Sequence, residues 1–314
     1  MDSQRRPVGE APDGPAVLWY GLAGLWAVDA LLALTPHMAV DQIDIVLMGG
    51  FGQPGWYIDF LSNSVYYWLY HARLAALLVT IEFVMQMVIA LLLAVGRGRR
   101  VGRVALSLSL GWALVLWVMA EWMGNLWAGM SFWTGAPGSA LLYALGAVVL
   151  LRPAWFRGRL AQVLGAAWGM GALLQALPAW WTGTTLATAM RANLVVTPVS
   201  WRTLPIQWLV GEATARPALV NGFLVALMVA VAGILVALRR PWTLWLVVVF
   251  LCLLWWWGEN LGGLFGGIAT DPNTGPVWIL LVVSARFYTG SGRDADRHVE
   301  KVRGKGRWPA CARF

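Results

Sequence analysis

Leu74-Ala-Ala-Leu-Leu-Val-Thr-Ile-Glu82-Phe-Val-Met-Gln86-Met-Val-Ile-Ala-Leu-Leu-Leu-Ala-Val95 runs for 22 residues with one charge, Glu82, and stops at the basic turn Gly96-Arg97-Gly98-Arg99-Arg100. A helix needs about 20 mostly apolar residues to cross the hydrocarbon of a bilayer, and this run is long enough. Seven further segments read the same way: 16–36, 104–124, 133–151, 160–178, 218–238, 242–260 and 274–288. Together they predict an all-α fold, a polytopic transmembrane helical bundle of about eight spans. The fourth and eighth have short apolar cores and need loop residues to reach across. Composition agrees, because only 12% of the 314 residues are charged, where a soluble domain carries about 25%.

Basic residues mark one side of the bundle. Arg97, Arg99, Arg100 and Arg103 crowd the second connection, Arg152, Arg157 and Arg159 the fourth, and Arg239 and Arg240 the sixth. The third connection, around Ser131 to Ser139, has no charge, and the seventh has only Asp271. The positive-inside rule then places both termini in the cytoplasm of a bacterial inner membrane, which an even number of spans allows. From Arg286 to Phe314, eight basic and three acidic residues leave +5. Such a tail, residues 289–314, is expected to face anionic lipid on the cytoplasmic side; no aromatic-basic platform points to nucleic acid. Residues 1–15 form a polar cytoplasmic lead, and the apolar run after them lacks a small-x-small cleavage pattern, so it reads as a retained helix. The long first and fifth connections, about 37–73 and 179–217, mix Trp, Tyr, Gly and Pro with apolar runs such as Ile43–Met48 and Leu194–Val199. That composition suits short amphipathic helices on the outer interface.

The chain repeats itself. Trp26-Ala-Val-Asp29-Ala-Leu-Leu-Ala-Leu-Thr-Pro36 matches Trp168-Gly-Met-Gly171-Ala-Leu-Leu-Gln-Ala-Leu-Pro178. Arg73 precedes the second span as Arg216 precedes the sixth, and Arg99-Arg100 closes the second as Arg239-Arg240 closes the sixth. Trp117-Val-Met-Ala-Glu121 aligns with Trp255-Trp-Trp-Gly-Glu259; an aromatic follows at Trp127 or Phe265, a glycine at Gly129 or Gly267, and a Gly/Pro loop through Pro137 or Pro276. The expected halves are residues 16–155 and 156–288, each of four spans. Both copies then enter and leave on the same side, giving parallel repeats about an axis along the membrane normal.

Ionisable groups inside a bilayer cost roughly 2.5–3.5 kcal/mol on insertion scales, so each needs a reason. Glu121 and Glu259 occupy equivalent places and could share a proton or bind a cation across the pseudo-twofold axis. Alternatively, Arg73 could pair with Glu121, and Arg216 with Glu259, inside each half. Asp29 is matched by Gly171, so its role is not duplicated; a proton relay and a hydrogen bond to a neighbouring helix are both open. Glu82 and Gln86 share a helical face, where polar contact between helices is the ordinary role. Asn125 and the glycines 124, 129, 262, 263, 266 and 267 mark either close helix approach or a broken helix lining a cavity. Asp271-Pro-Asn-Thr-Gly reads as a turn.

Cys252 and Cys311 lie in different environments and form no disulfide framework. His37 and His71, at outer span ends, are the one pair that could hold a metal or haem; His298 is in the tail. No nucleophile-base arrangement, phosphate-cradling loop or dinucleotide fingerprint is present, so nothing specifies an enzyme or fixes a cofactor.

The run Gln86-Met-Val-Ile-Ala-Leu-Leu-Leu-Ala-Val-Gly96-Arg97, with its basic turn and the apolar helix from Val104, resembles the DoxX-like superfamily of four-helix bacterial membrane proteins. There an acidic residue commonly stands where this chain has Gln86. Each half would be one such unit. The stretch from Glu259-Asn-Leu-Gly-Gly through Asp271-Pro-Asn-Thr-Gly-Pro276, with the Trp26-x-x-Asp29…Pro36 first helix, also resembles a family of bacterial polytopic membrane proteins. The DoxX-like resemblance implies an accessory or assembly subunit of a membrane redox system, with quinone or a redox protein as partner. A small-solute or cation transporter with its site at the repeat interface is the second expectation, and a purely structural membrane protein the third. The site residues expected are Glu121, Glu259, Arg73, Arg216, Asn125 and Asp29.

Overall fold

The structure is a computed structural model that describes residues 14–35, 38, 53–125, 127, 131–194, 200–237, 241–265 and 269–288. Both terminal segments, Ile43–Met48, most of Leu194–Val199, Arg239, Arg240, Pro36, His37, His298, Cys311 and the glycines at 129, 266 and 267 lie outside the described residues. Among those described there are helices and no strand. The longer helices are α1 (Gly14–Ala33), α2 (Gly55–Leu61), α3 (Ala72–Gly96), α4 (Arg100–Met119), α5 (Ser139–Leu151), α6 (Leu160–Gln175), α7 (Gly183–Ala192), α8 (Leu204–Ala215), α9 (Pro217–Val236), α10 (Pro241–Trp257) and α11 (Thr274–Tyr288).

Four of these, α1, α3, α4 and α9, are long and apolar enough to cross a membrane. The apolar helices α5, α6, α10 and α11 are shorter. Side-chain placement fits a hydrocarbon surround. On α3 the buried residues Ala75, Glu82, Gln86, Ile89 and Leu93 form one face. Leu77, Ile81, Val84, Val88, Leu91 and Val95 are exposed at spacings of three and four residues. A continuous apolar stripe turned outward would be a liability in water; in lipid it meets its own kind. Trp242, Trp245, Leu246, Val249 and Leu253 give α10 a similar outer face.

Helix α1 lies chiefly along α3, and α6 along α9; α4 packs on α5. Trp26 of α1 is fully buried, stacks on Tyr143 of α5 at 4.6 Å between ring centres, and donates its indole N–H to Ser109 Oγ of α4 at 2.8 Å. Trp168 of α6 is equally buried and lies 5.4 Å from the ring of Trp278 of α11. Helix α5, at 13 residues, is buried on nearly every side. At 1.5 Å per residue it spans about 20 Å, short of the roughly 30 Å hydrocarbon core of a bilayer.

The segments 104–124 and 242–260, read from sequence as continuous spans, are corrected by the structure. Helix α4 stops at Met119 and α10 at Trp257, each just short of its glutamate. The first and fifth connections carry helices where they are described, α2 in one and α7 and α8 in the other. Pro217 opens α9 and Pro241 opens α10, positions where the missing N–H of proline costs nothing.

Candidate functional site

The two helix ends at the glutamates are built alike. The N–H groups of Ala120 and Glu121 both reach Leu116 O, at 2.8 and 3.0 Å; those of Gly258 and Glu259 both reach Leu254 O, at 2.7 and 3.1 Å. The chain then turns left-handed for four residues. Trp122, Met123, Gly124 and Asn125 have φ of 51°, 51°, 64° and 61°; Asn260, Leu261, Gly262 and Gly263 have 51°, 54°, 65° and 68°. Left-handed backbone costs a residue with a Cβ roughly 1–2 kcal/mol, so something must hold these turns.

The holding groups are the residues of the Trp-x-x-x-Glu pairs. Trp117 Nε1 donates to Pro137 O at 2.8 Å, and Trp255 Nε1 to Pro272 O at 2.7 Å. Glu121 Oε1 accepts from Ser139 Oγ at 2.5 Å and from Ala140 N–H at 3.0 Å. Glu259 accepts from the Thr274 hydroxyl and, through Oε2, from Gly275 N–H at 3.0 Å. Ser139 opens α5 and Thr274 opens α11. Each carboxylate therefore caps the N-terminus of the next helix, where unpaired N–H groups and the helix dipole favour negative charge. The geometric counterpart of Pro137 is Pro272, four residues before Pro276.

The expected ion pairs do not form. Arg216 lies 3.9 Å from Glu212, one helical turn back on α8, and Arg73 is exposed at the start of α3 with no ion pair to Glu121 among the described residues. The carboxylates took backbone and hydroxyl donors instead of guanidinium. Nor do Glu121 and Glu259 share one site, since each caps a different helix. Asn125 is exposed and accepts from Gln53 Nε2 at 3.1 Å. His71 contacts Tyr67 O at 2.7 Å, and no group of three His, Cys, Asp or Glu among the described residues could hold a metal ion.

Asp29 and Glu121 do come together, in company the sequence did not announce. A cavity of about 80 Å³ is lined by Asp29, Glu82, Gln86, Glu121, Tyr143 and Asp271, with apolar wall from residues such as Leu116. Asp29 is 2% exposed, and its Oδ1 accepts from Tyr143 OH at 3.1 Å. Gln86 is 5% exposed, and its carboxamide oxygen has no hydrogen-bond partner among the described residues. Among the described residues no Lys, Arg or His lines this space.

Asp271 arrives from the loop between α10 and α11. Its Oδ1 accepts Asn273 N–H at 2.5 Å and its Oδ2 the Thr270 hydroxyl at 3.0 Å, an Asx turn of the kind Asp-Pro-Asn favours. Burial holds its carboxyl above the usual carboxylate range, against the pull of Asn273 N–H and the Ser139 and Thr270 hydroxyls. The turn was legible from sequence; its insertion beside α5 was not.

Gly171 stands where Asp29 would be, and a Cβ there would lie 2.8 Å from the Phe132 ring. Phe132 sits 5.4 Å from Trp168 and 5.8 Å from Trp278, ring centre to ring centre. The loop before α5 thus sends an aromatic ring into the second half, while the loop before α11 sends a carboxylate into the first. No family model matches the chain, and no curated protein or solved structure matches it.

Proposed function

We propose that the chain is an inner-membrane protein of eight spans in two parallel four-helix halves, and that it binds and passes a small cation through an acidic site in its first half. Eight apolar helices, in the order and number read from sequence, support the span count. The twice-built Trp-x-x-x-Glu turn, with the same bonds at both places, supports the duplication. Both glutamates lie at the ends of the bundle away from the arginine-rich turns, so the mouth of the cavity faces out of the cytoplasm, with both termini inside.

One observation carries the cation reading. Three carboxylates, Asp29, Glu121 and Asp271, line one cavity with no basic side chain on it among the described residues, and beside them the Gln86 oxygen is buried without a donor among those residues. Buried carboxylates call for protonation or a positive partner. The space suffices for several waters or one small ion, since one water needs roughly 10–15 Å³ on this measure.

Dicyclohexylcarbodiimide, an apolar reagent for protonated carboxyls in membranes, tests this. Mass spectrometry of protein labelled in nanodiscs should place adducts at Asp29 or Glu121, slowed by added cations, with Glu259 unlabelled. Equal labelling of Glu259, or no protection by any cation, sinks the reading. The redox-accessory reading rests on the DoxX-like resemblance, and one observation favours it: Gln86, the position acidic in that family, lines this same cavity. It requires quinone or haem absorbance in the purified protein.

A further inference from the structure

We propose that the occupant of the acid cavity is a small alkylammonium, a protonated amine of a few carbons, held between Asp29, Glu121 and the Gln86 carboxamide oxygen. This rests on the cation-site reading and names the chemistry of the cation.

The site asks for hydrogen-bond donors, and for several at once. Its polar atoms are almost all acceptors: carboxylate oxygens of Asp29, Glu121 and Asp271, and the Gln86 oxygen. The hydroxyl donors present are already committed. Tyr143 OH is given to Asp29, and Ser139 Oγ to Glu121. A bare metal ion needs three or more ligands converging at bond distance, and no such trio of acidic, His or Cys side chains exists among the described residues. A primary ammonium carries its charge on three divergent N–H bonds, each of which can reach a different acceptor.

The remaining wall argues for carbon. Ala33, Met38, Leu116 and Ala120 line the cavity on its other sides, and an inorganic ion or its water shell gains nothing from them. A methyl or ethyl group does, because it leaves water for an apolar wall. The free space of about 80 Å³ admits a few heavy atoms and excludes a long-chain amine. Glu121 and Asp271 are partly exposed while Asp29 and Gln86 are buried, so an amine enters past the first pair and comes to rest on the second.

Isothermal titration of the full chain in nanodiscs with ethylammonium chloride tests the proposal, with potassium, sodium, calcium and tetramethylammonium chlorides as competitors. One ethylammonium should bind per chain. Asp29→Asn and Gln86→Leu should each weaken it about tenfold or more, the loss of a charge-assisted acceptor. Gln86→Leu removes an unpaired buried oxygen, so that variant keeps its fold and stays informative even if Asp29→Asn does not. Tetramethylammonium, which has no N–H, should not compete. If potassium or sodium displaces ethylammonium at similar concentration, the cation site stands and the alkylammonium assignment falls. If no cation binds, both fall together. Unchanged affinity in Gln86→Leu also overturns the assignment.

Discussion

Ser139 gives its hydroxyl to Glu121 at 2.5 Å, and in doing so starts helix α5 on a carboxylate carried by the end of α4. Thr274 and Glu259 stand in the same relation between α10 and α11. A short, nearly enclosed helix needs its N-terminus fixed where its four unpaired N–H groups find partners. A glutamate two residues beyond the preceding helix, kept in place by a left-handed turn, meets that need. The two glutamates are alike in this task and unlike in surroundings, because only Glu121 also borders the acid cavity.

Glu259→Gln should therefore act on stability alone. It removes the charge from a cap whose donors stay in place, a loss of about 1–3 kcal/mol, read as a lower thermal midpoint in detergent. Cation binding should be unaffected. Glu121→Gln should show the same loss of stability together with weakened binding. Equal effects of the two variants on binding would show that the cavity is not the site.

Gly124 and Gly262 should tolerate no side chain. Both have positive φ, and a Cβ would lie 2.2 Å from Pro137 O in one case and 2.6 Å from Pro272 O in the other. Alanine at either adds left-handed strain of about 1–2 kcal/mol to a backbone clash that nothing flexible can relieve. Gly111→Ala, on α4 with open space around it, is the control, expected to stabilise by about 0.5–1 kcal/mol. Thermal midpoints of the three variants check the ordering; a neutral Gly124→Ala would mean that the turn is not built as described.

Much of this construction could be read from residue order. The positions of the apolar helices follow from apolar run length, and the Trp117–Glu121 and Trp255–Glu259 pairs stand out because four residues separate a ring from an acid in both. The expectation of Arg73–Glu121 and Arg216–Glu259 pairs failed for a physical reason. The donors that hold the glutamates are backbone N–H groups and hydroxyls at a helix start, which no charge pattern advertises. Asp271 and Phe132 were missed because their importance lies in which half of the bundle each loop enters. A turn motif records the shape of its loop and says nothing of the neighbour it meets.

Acid should favour the empty protein. The folded-state carboxyl of Asp271 titrates above its ordinary range because it is buried, while the unfolded value is about 3.9. Its contribution to stability is fully present below that unfolded value and is lost as pH rises through the folded one. Thermal midpoints should fall across this window, and Asp271→Asn should flatten the fall. Ethylammonium should restore the midpoint most at the alkaline end, where the ionised carboxylate can accept its N–H. A midpoint that rises with pH in the unliganded protein would contradict the placement of Asp271 beside Glu121 and Asp29.

Phe132 and Gly171 should prove energetically coupled. The ring occupies the place that a side chain at residue 171 would need, with 2.8 Å between them were a Cβ added. Phe132→Ala empties a buried site between Trp168 and Trp278 and should cost about 3–5 kcal/mol. Gly171→Asp alone drives a carboxylate into the ring and should also destabilise. Together the two changes relieve each other, because the space left by the ring admits the carboxylate and water. The double variant should therefore lose less than the sum of the singles, by about 0.5–3 kcal/mol, as measured by thermal or denaturant unfolding in detergent. That result would also account for the difference between the two positions: Asp29 borders the acid cavity, while residue 171 faces an aromatic plug from the loop before α5. Strictly additive losses would show that Phe132 and residue 171 do not share the space, and the plug account would go.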